Sequence, residues 1–326
     1  RDFVHPHSYA VLQDTLDYLQ RLGINAIQLM PVQEFEGNEG WGYNPSYHMA
    51  LDKDYGSADA LRALVEECHS RGMAVILDVV YNHAFGQSPL ALLYWDGAQN
   101  RPAANNPWLN PIPKHDFNVG NDFNHESPAT KYFVKRVISW WMQTYGIDGF
   151  RFDLASGFTQ RNSLGNFNEW ARYDTSRINN IQEYADLMWS IDPESYVILE
   201  NFVDNSERKE LSSRGMMLWG NMSIEYGQAS KGFGGSDLGG SWWEHVGWGE
   251  PGLIAYMESH DEERLMYKNL TAGNSGPGYN IKELKVALGR IELVSSFYFL
   301  IPGPKMIWKF GELGYEYSVN YCPDGS

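Results

Sequence analysis

The sequence predicts an α/β protein built on a parallel sheet, either open or closed into a barrel. Short apolar runs alternate with helix-period segments along most of the chain, the order of elements that builds parallel sheets. Ala74 to Val80 is a continuous apolar run broken only by Asp78, as suits a strand covered on both faces. The length, 326 residues, fits one α/β barrel as well as two smaller domains.

Ser8 to Leu22 has helical spacing, with Val11, Leu12, Leu16, Leu19 and Leu22 on one face and Gly23 as the stop. The strand Ile24–Met30 follows and ends at Pro31. Ala58–Arg71 is a second helix, with Leu61, Leu64, Val65 and Cys68 inward and Gly72 as its cap. The strand Ala74–Val80 comes next, then a helix over Lys131–Tyr145 leading into the strand Ile147–Phe152. A helix around Arg177–Ser190 precedes the strand Tyr196–Leu199. Strands are expected at Met216–Trp219, Leu253–Glu258 and Lys305–Trp308, with a long helix over Lys282–Leu300 before the last. That gives seven strands. Ala84 to Glu126, rich in Asn, Pro and Gly, has no clear period and reads as an irregular insertion after the third strand of a barrel. The division expected is therefore 1–83 with 127–326 as the barrel, and 84–126 as the insertion.

The formal net charge of −16 argues against a nucleic-acid partner or an anionic membrane surface, both of which favour a basic face. Aromatic residues make up 14% of the chain, which fits either a large aromatic core or a site that stacks on sugar rings. Two cysteines, Cys68 and Cys322, make no disulfide scaffold. The longest apolar stretch, Leu293–Pro302, is far short of the ~20 residues a membrane span needs, so no membrane insertion is expected.

In a (β/α)₈ barrel, polar residues at the C-terminal ends of strands form the active site. Asp78 lies inside an apolar strand that ends in Tyr81-Asn82-His83. Arg151 and Asp153 are two apart at the end of another, so they point the same way, and a guanidinium beside a carboxylate favours its ionised form. Glu200 ends the strand Tyr196–Leu199, and Glu258-Ser259-His260-Asp261 ends the strand that begins at Leu253. Three strand ends thus present Asp153, Glu200 and Asp261. Converging carboxylates are what glycosidic bond cleavage needs: one as nucleophile, one to protonate the leaving oxygen.

These segments resemble glycoside hydrolase family 13, the α-amylase family. Asp78-Val79-Val80-Tyr81-Asn82-His83, Gly149-Phe150-Arg151-Phe152-Asp153, Ile198-Leu199-Glu200-Asn201 and Glu258-Ser259-His260-Asp261 match its motifs in order. Met30-Pro31-Val32 and Phe310-Gly311-Glu312 fit its second and last strands. The resemblance implies a (β/α)₈ barrel, with Asp153 as nucleophile, Glu200 as general acid/base and Asp261 as a third carboxylate steadying the transition state. It implies that Arg151 orients Asp153, that His83 and His260 bond to the sugar, that Asp78 supports the site, and that Tyr43 of Trp41-Gly42-Tyr43-Asn44-Pro45 stacks on the sugar. No cofactor is required for this chemistry. A structural Ca²⁺ is implied between barrel and insertion, held by Asn82, Asp122 and the carbonyl of Gly157. The position of Gly157 often holds a His in calcium-binding relatives, and a turn-and-cap role for Asn82 and Asp122 is the alternative.

Two departures stand out. The family's first strand normally ends in a segment like Arg1-Asp2-Phe3, so that strand is expected to be missing, and the chain stops at Ser326 without the final helix or the β-sandwich that usually follows. The chain opens on Arg1 rather than Met and reads as an excised or processed piece. The implied reaction is retaining hydrolysis of α-glucosidic bonds in starch- or glycogen-type α-glucans, of α-amylase type. The alternatives are α-1,6 debranching and branching transfer, toward which Trp41–Pro45, Phe150–Leu154 and Ser259–Glu262 lean. The partner implied is an α-glucan polysaccharide or oligosaccharide. A non-catalytic glucan-binding protein on the same barrel is the rival from another class, and the presence of all three carboxylates argues against it.

Overall fold

A computed structural model describes residues 8–37, 40–117 and 120–320. The segment Arg1-Asp2-Phe3 and Cys322 lie outside the described residues. The chain forms two compact units, Arg1–Glu207 and Arg208–Ser326.

The first unit carries four parallel strands, β1 (Ala26–Leu29), β2 (Ala74–Val79), β3 (Gly149–Phe152) and β4 (Tyr196–Leu199), paired in that order. All four fall inside the expected strands. The register sets the level of the strand ends: Asp78 lies opposite Arg151, Val79 opposite Phe152, and Phe152 opposite Leu199. The ladder continues one residue past the strands, because Asp153 N–H donates to Val79 at 2.9 Å and Glu200 N–H donates to Phe152 at 3.1 Å. Asp153 and Glu200 therefore leave neighbouring strands at the same height. Gly149 pairs with Tyr196, and a Cβ on Gly149 would meet the Tyr196 carbonyl oxygen and lie 2.8 Å from its Cα. Only glycine lets β3 approach β4 here.

Helices connect the strands. The first helical segment runs Tyr9–Asp14 and Leu16–Leu22, with the Ser8 side chain as its N-cap. Ala58–Ser70 buries Leu61, Leu64, Val65 and Cys68, as its spacing predicts. Pro128–Tyr145 begins three residues earlier than its apolar pattern, because Ser127 caps it and Pro128 occupies the first turn, where no N–H is needed. Thr175–Ile191 starts from the Asp174 side chain. The stretch 84–126 is less irregular than expected. It holds a short helix, Pro89–Leu92, a two-residue hairpin of Trp95–Asp96 with Arg101–Pro102, and a core of Ala84, Ala91, Leu109 and Phe123. Asn121–Asp122 returns to pair antiparallel with His83–Ala84, which places Asp122 opposite His83.

The second unit carries three parallel strands, β5 (Met217–Asn221), β6 (Leu253–Tyr256) and β7 (Lys305–Met306), with β6 between the other two. Helices Ser223–Lys231, Leu265–Ala272 and Leu284–Leu300 close over a core of Met222, Tyr226, Leu265, Met266, Ile291, Val294 and Tyr298. The Tyr298 hydroxyl reaches the carbonyls of Ala255 at 2.7 Å and Met306 at 2.6 Å, tying the long helix to β6 and β7. Among the described residues no helix is long and apolar enough to cross a membrane.

Candidate active site

Arg151 is the centre of the first unit's site. It is wholly buried on β3, and its Nη1 donates to Asp78 at 2.7 Å and to Asp153 at 2.8 Å, while Nη2 lies 2.9 Å from Glu200. Asp78 reaches it across the β2–β3 register, Asp153 along its own strand, and Glu200 from the end of β4. Tyr43 closes the group. Its hydroxyl donates to the second oxygen of Asp78 at 2.8 Å, and its ring centre lies 5.9 Å from the guanidinium carbon. The structure thus brings together five of the residues picked from sequence.

One cation facing three carboxylates changes their acidity. The sequence led to the expectation that Arg151 would hold Asp153 ionised. Instead the Asp153 carboxyl is held well above its ordinary range, because burial and the nearby Glu200 and Asp78 charges outweigh the guanidinium. Burial likewise pushes Asp78 up to about 6, against the pull of Arg151 and the Tyr43 hydroxyl. Asp153 and Asp78 therefore both favour holding a proton, and their titrations are linked rather than separate.

The turn after Asp153 is built to reach Glu200. Leu154 has the left-handed conformation, φ 46°, uncommon for a branched residue, and this aims its N–H at Glu200 Oε2, 2.8 Å away. The next residue, Ala155, donates its N–H to the Glu200 carbonyl at 2.9 Å.

Behind these loops lies a pair that sequence reasoning missed. Arg177 and Glu207 are both buried and joined by two 2.7 Å hydrogen bonds, Nε to Oε1 and Nη2 to Oε2. Arg177 Nη1 also donates to the carbonyl of Ser156 at 3.1 Å, in the loop after Asp153, and Glu207 Oε1 accepts from Asn201, beside Glu200, at 3.1 Å. The pair braces both carboxylate-bearing loops. In the sequence Arg177 is one polar residue in a helical pattern, and nothing there distinguishes it from a solvated one.

His83, Asn82 and Asp122 form a second buried group. His83 Nε2 lies 2.8 Å from the Tyr43 carbonyl, and His83 Nδ1 lies 3.1 Å from the Asn82 amide nitrogen. Asn82 Oδ1 is 3.1 Å from His115 Nε2, which is 3.5 Å from Asp122 Oδ1. Asp122 Oδ2 accepts from the Asn110 side chain at 2.7 Å and from the Lys114 N–H at 3.1 Å. The Gly157 carbonyl accepts the Thr159 N–H at 2.7 Å. Sequence reasoning did not single out His115.

In the second unit, His260 and Asp261 follow β6. His260 Nε2 is 3.3 Å from Asp261 Oδ2, and its ring packs between Trp219, at 6.2 Å, and Trp308, at 5.9 Å. Ser259 fixes the turn by accepting the Asp261 N–H at 3.1 Å and donating to Glu262, which also accepts from Asn221. Asp261 is about half exposed, open to a ligand.

The sequence profile described as "Alpha amylase, catalytic domain" matches residues 10–90. The chain is 34% identical over 184 residues to the chloroplastic isoamylase SU1 of Zea mays, covering 49% of this chain and 23% of that protein. It is 34% identical over 141 residues to the malto-oligosyltrehalose trehalohydrolase of Saccharolobus solfataricus, covering 42% and 23%. The matched part thus spans about a quarter of these relatives' length. The α-amylase of Geobacillus thermoleovorans, solved in complex with acarbose, superposes with a TM-score of 0.70 at 20% identity, covering 100% of this chain and 70% of that one. That likeness, at this identity, gives the fold, and over residues 10–90 the chain is similar to the α-amylase catalytic domain.

Proposed function

We propose that the chain is the catalytic part of a retaining glycosidase that cleaves α-glucosidic bonds in starch- or glycogen-type glucans. The observation that carries this reading is Arg151, whose two terminal nitrogens hold Asp153 and Glu200 side by side, the close pairing a retaining mechanism needs. Asp153 attacks the anomeric carbon as the bond to the leaving oxygen breaks, and Glu200 gives that oxygen its proton. Asp153, now an ester, no longer carries charge. Glu200 then takes a proton from water, the hydroxyl adds to the anomeric carbon, and the bond to Asp153 breaks. Tyr43, set by Asp78, offers its ring to the sugar, while both ring nitrogens of His83 are engaged by the Tyr43 carbonyl and the Asn82 amide and so hold the loop that carries Tyr43.

Hydrolysis of α-1,4 bonds in the manner of an α-amylase is the first reading. Debranching at α-1,6 bonds is the second, favoured by the 184-residue match to the maize isoamylase. One experiment on soluble starch separates them. Internal α-1,4 cleavage releases reducing ends while iodine colour falls. Debranching releases reducing ends while colour is kept or deepens. Branching transfer lowers colour with no new reducing ends. No change in either measure would defeat the enzymatic reading.

A further inference from the structure

The buried file that runs from Asp122 through His115, Asn82 and His83 to the Tyr43 carbonyl has a direction. A carbonyl can only accept, so His83 Nε2 donates to Tyr43, and His83 Nδ1 is left to accept from the Asn82 amide. That fixes the amide and turns Asn82 Oδ1 toward His115 Nε2, which therefore carries the hydrogen. Asp122 Oδ1 lies 3.5 Å from the same nitrogen, an ion-pair contact rather than a hydrogen bond. All four side chains are about 99% or more buried.

The resemblance implies a Ca²⁺ on Asn82, Asp122 and the Gly157 carbonyl, and the residues present do not fit one. Ca²⁺ takes six to eight oxygens at about 2.3–2.6 Å. Here Asn82 Oδ1 is taken by the His115 ring nitrogen, Asp122 Oδ1 lies 3.5 Å from the same nitrogen, and the Gly157 carbonyl is taken by the Thr159 N–H. Gly157 makes room for that ring rather than for an ion. A Cβ at 157 would overlap Asn82 Oδ1 and come within 2.8 Å of His115 Nε2. The ring is backed by Trp170, with centroids 4.6 Å apart, so it cannot withdraw without opening the core.

We propose that His115 takes the place of the cation, its Nε2–H bonded to Asn82 and its ring set 3.5 Å from Asp122 Oδ1, and so fastens the 84–126 stretch to the end of β2 without metal. The proposal goes beyond the reaction assigned above and does not depend on it, so its test reads stability and metal binding. The protein is melted in millimolar CaCl₂ and after dialysis against EDTA, and titrated with Tb³⁺ while tryptophan-sensitised emission is followed. The expected result is coincident melts and no sensitised emission. His115→Phe, which keeps a ring but loses the donor, is expected to melt several degrees lower, and His115→Gln, which restores a donor at similar reach, to recover much of that loss. A calcium-dependent rise of several degrees in the unaltered protein that disappears in Asp122→Asn would overturn the proposal. So would unchanged stability in His115→Phe.

Discussion

Arg177 and Glu207 meet through two parallel 2.7 Å hydrogen bonds with almost no contact with water. Breaking such a pair from one side leaves an uncompensated buried charge. Glu207→Ala is expected to cost about 3–5 kcal/mol in urea unfolding. Arg177→Met with Glu207→Leu together should cost less than either single change, since neither charge is then stranded. A double variant as unstable as the sum of the singles would contradict this account.

Asp153→Asn is expected to abolish starch cleavage while leaving glucan binding intact, because the covalent bond to the anomeric carbon can no longer form. Glu200→Gln should lower kcat by roughly 10²–10⁴-fold, and azide should partly rescue it on substrates whose leaving group needs no proton. Initial rates on starch and on an activated aryl glucoside check both, and near-normal turnover by either variant would remove the assigned role.

Asp78 gives the sign of a pH effect. Its carboxyl is raised from 3.8 to about 6 by burial. A raised carboxyl contributes stability that is fully present below the unfolded value and is lost as pH rises through the folded one. Asp78→Asn has no such titration. Its stability relative to the unaltered protein should therefore improve as pH rises from about 4 to about 6. Denaturant melts of both proteins across that window measure it, and a flat difference would show that Asp78 titrates alike in folded and unfolded chains. Activity should fall in the same variant, since asparagine keeps one acceptor oxygen where Tyr43 and Arg151 each use one.

Gly149→Ala places a methyl against the backbone of Tyr196, which cannot rotate away. Overpacking of this sort costs about 1–3 kcal/mol or more. The expected result is a lower melting temperature and weaker activity together, because β3 and β4 carry Asp153 and Glu200. Gly165→Ala is the contrast. Its φ of +69° is strained for alanine, yet nothing lies near the added methyl, so its cost should be backbone strain with activity kept.

The strands and their chemistry could be read in the sequence because burial on both faces forces apolar runs, and a carboxylate at the end of such a run stands out. Asp78, Asp153 and Glu200 all announced themselves in this way. The helices Asn205–Ser213 and Ser223–Lys231 did not, since the first is strongly polar and the second has only a weak apolar stripe. The hairpin of Gln33–Phe35 with Pro45–Leu51 was hidden by its irregular register. His115 and Arg177 were invisible for another reason: His115 bonds Asn82, 33 residues away, and Arg177 bonds Glu207, 30 residues away, and only the folded chain brings them together.

Leu154 links the backbone to the proton. A leucine in the left-handed region costs roughly 1–2 kcal/mol, and relaxing it would swing its N–H away from Glu200. The bond that opposes this relaxation is about twice as strong to a carboxylate as to a neutral acid. Were Glu200 to exchange a proton in the proposed roles, the balance at Leu154 would shift with it, and the residue affected is the direct neighbour of Asp153. The proposed two steps would then be felt as loosening and tightening of a single peptide unit.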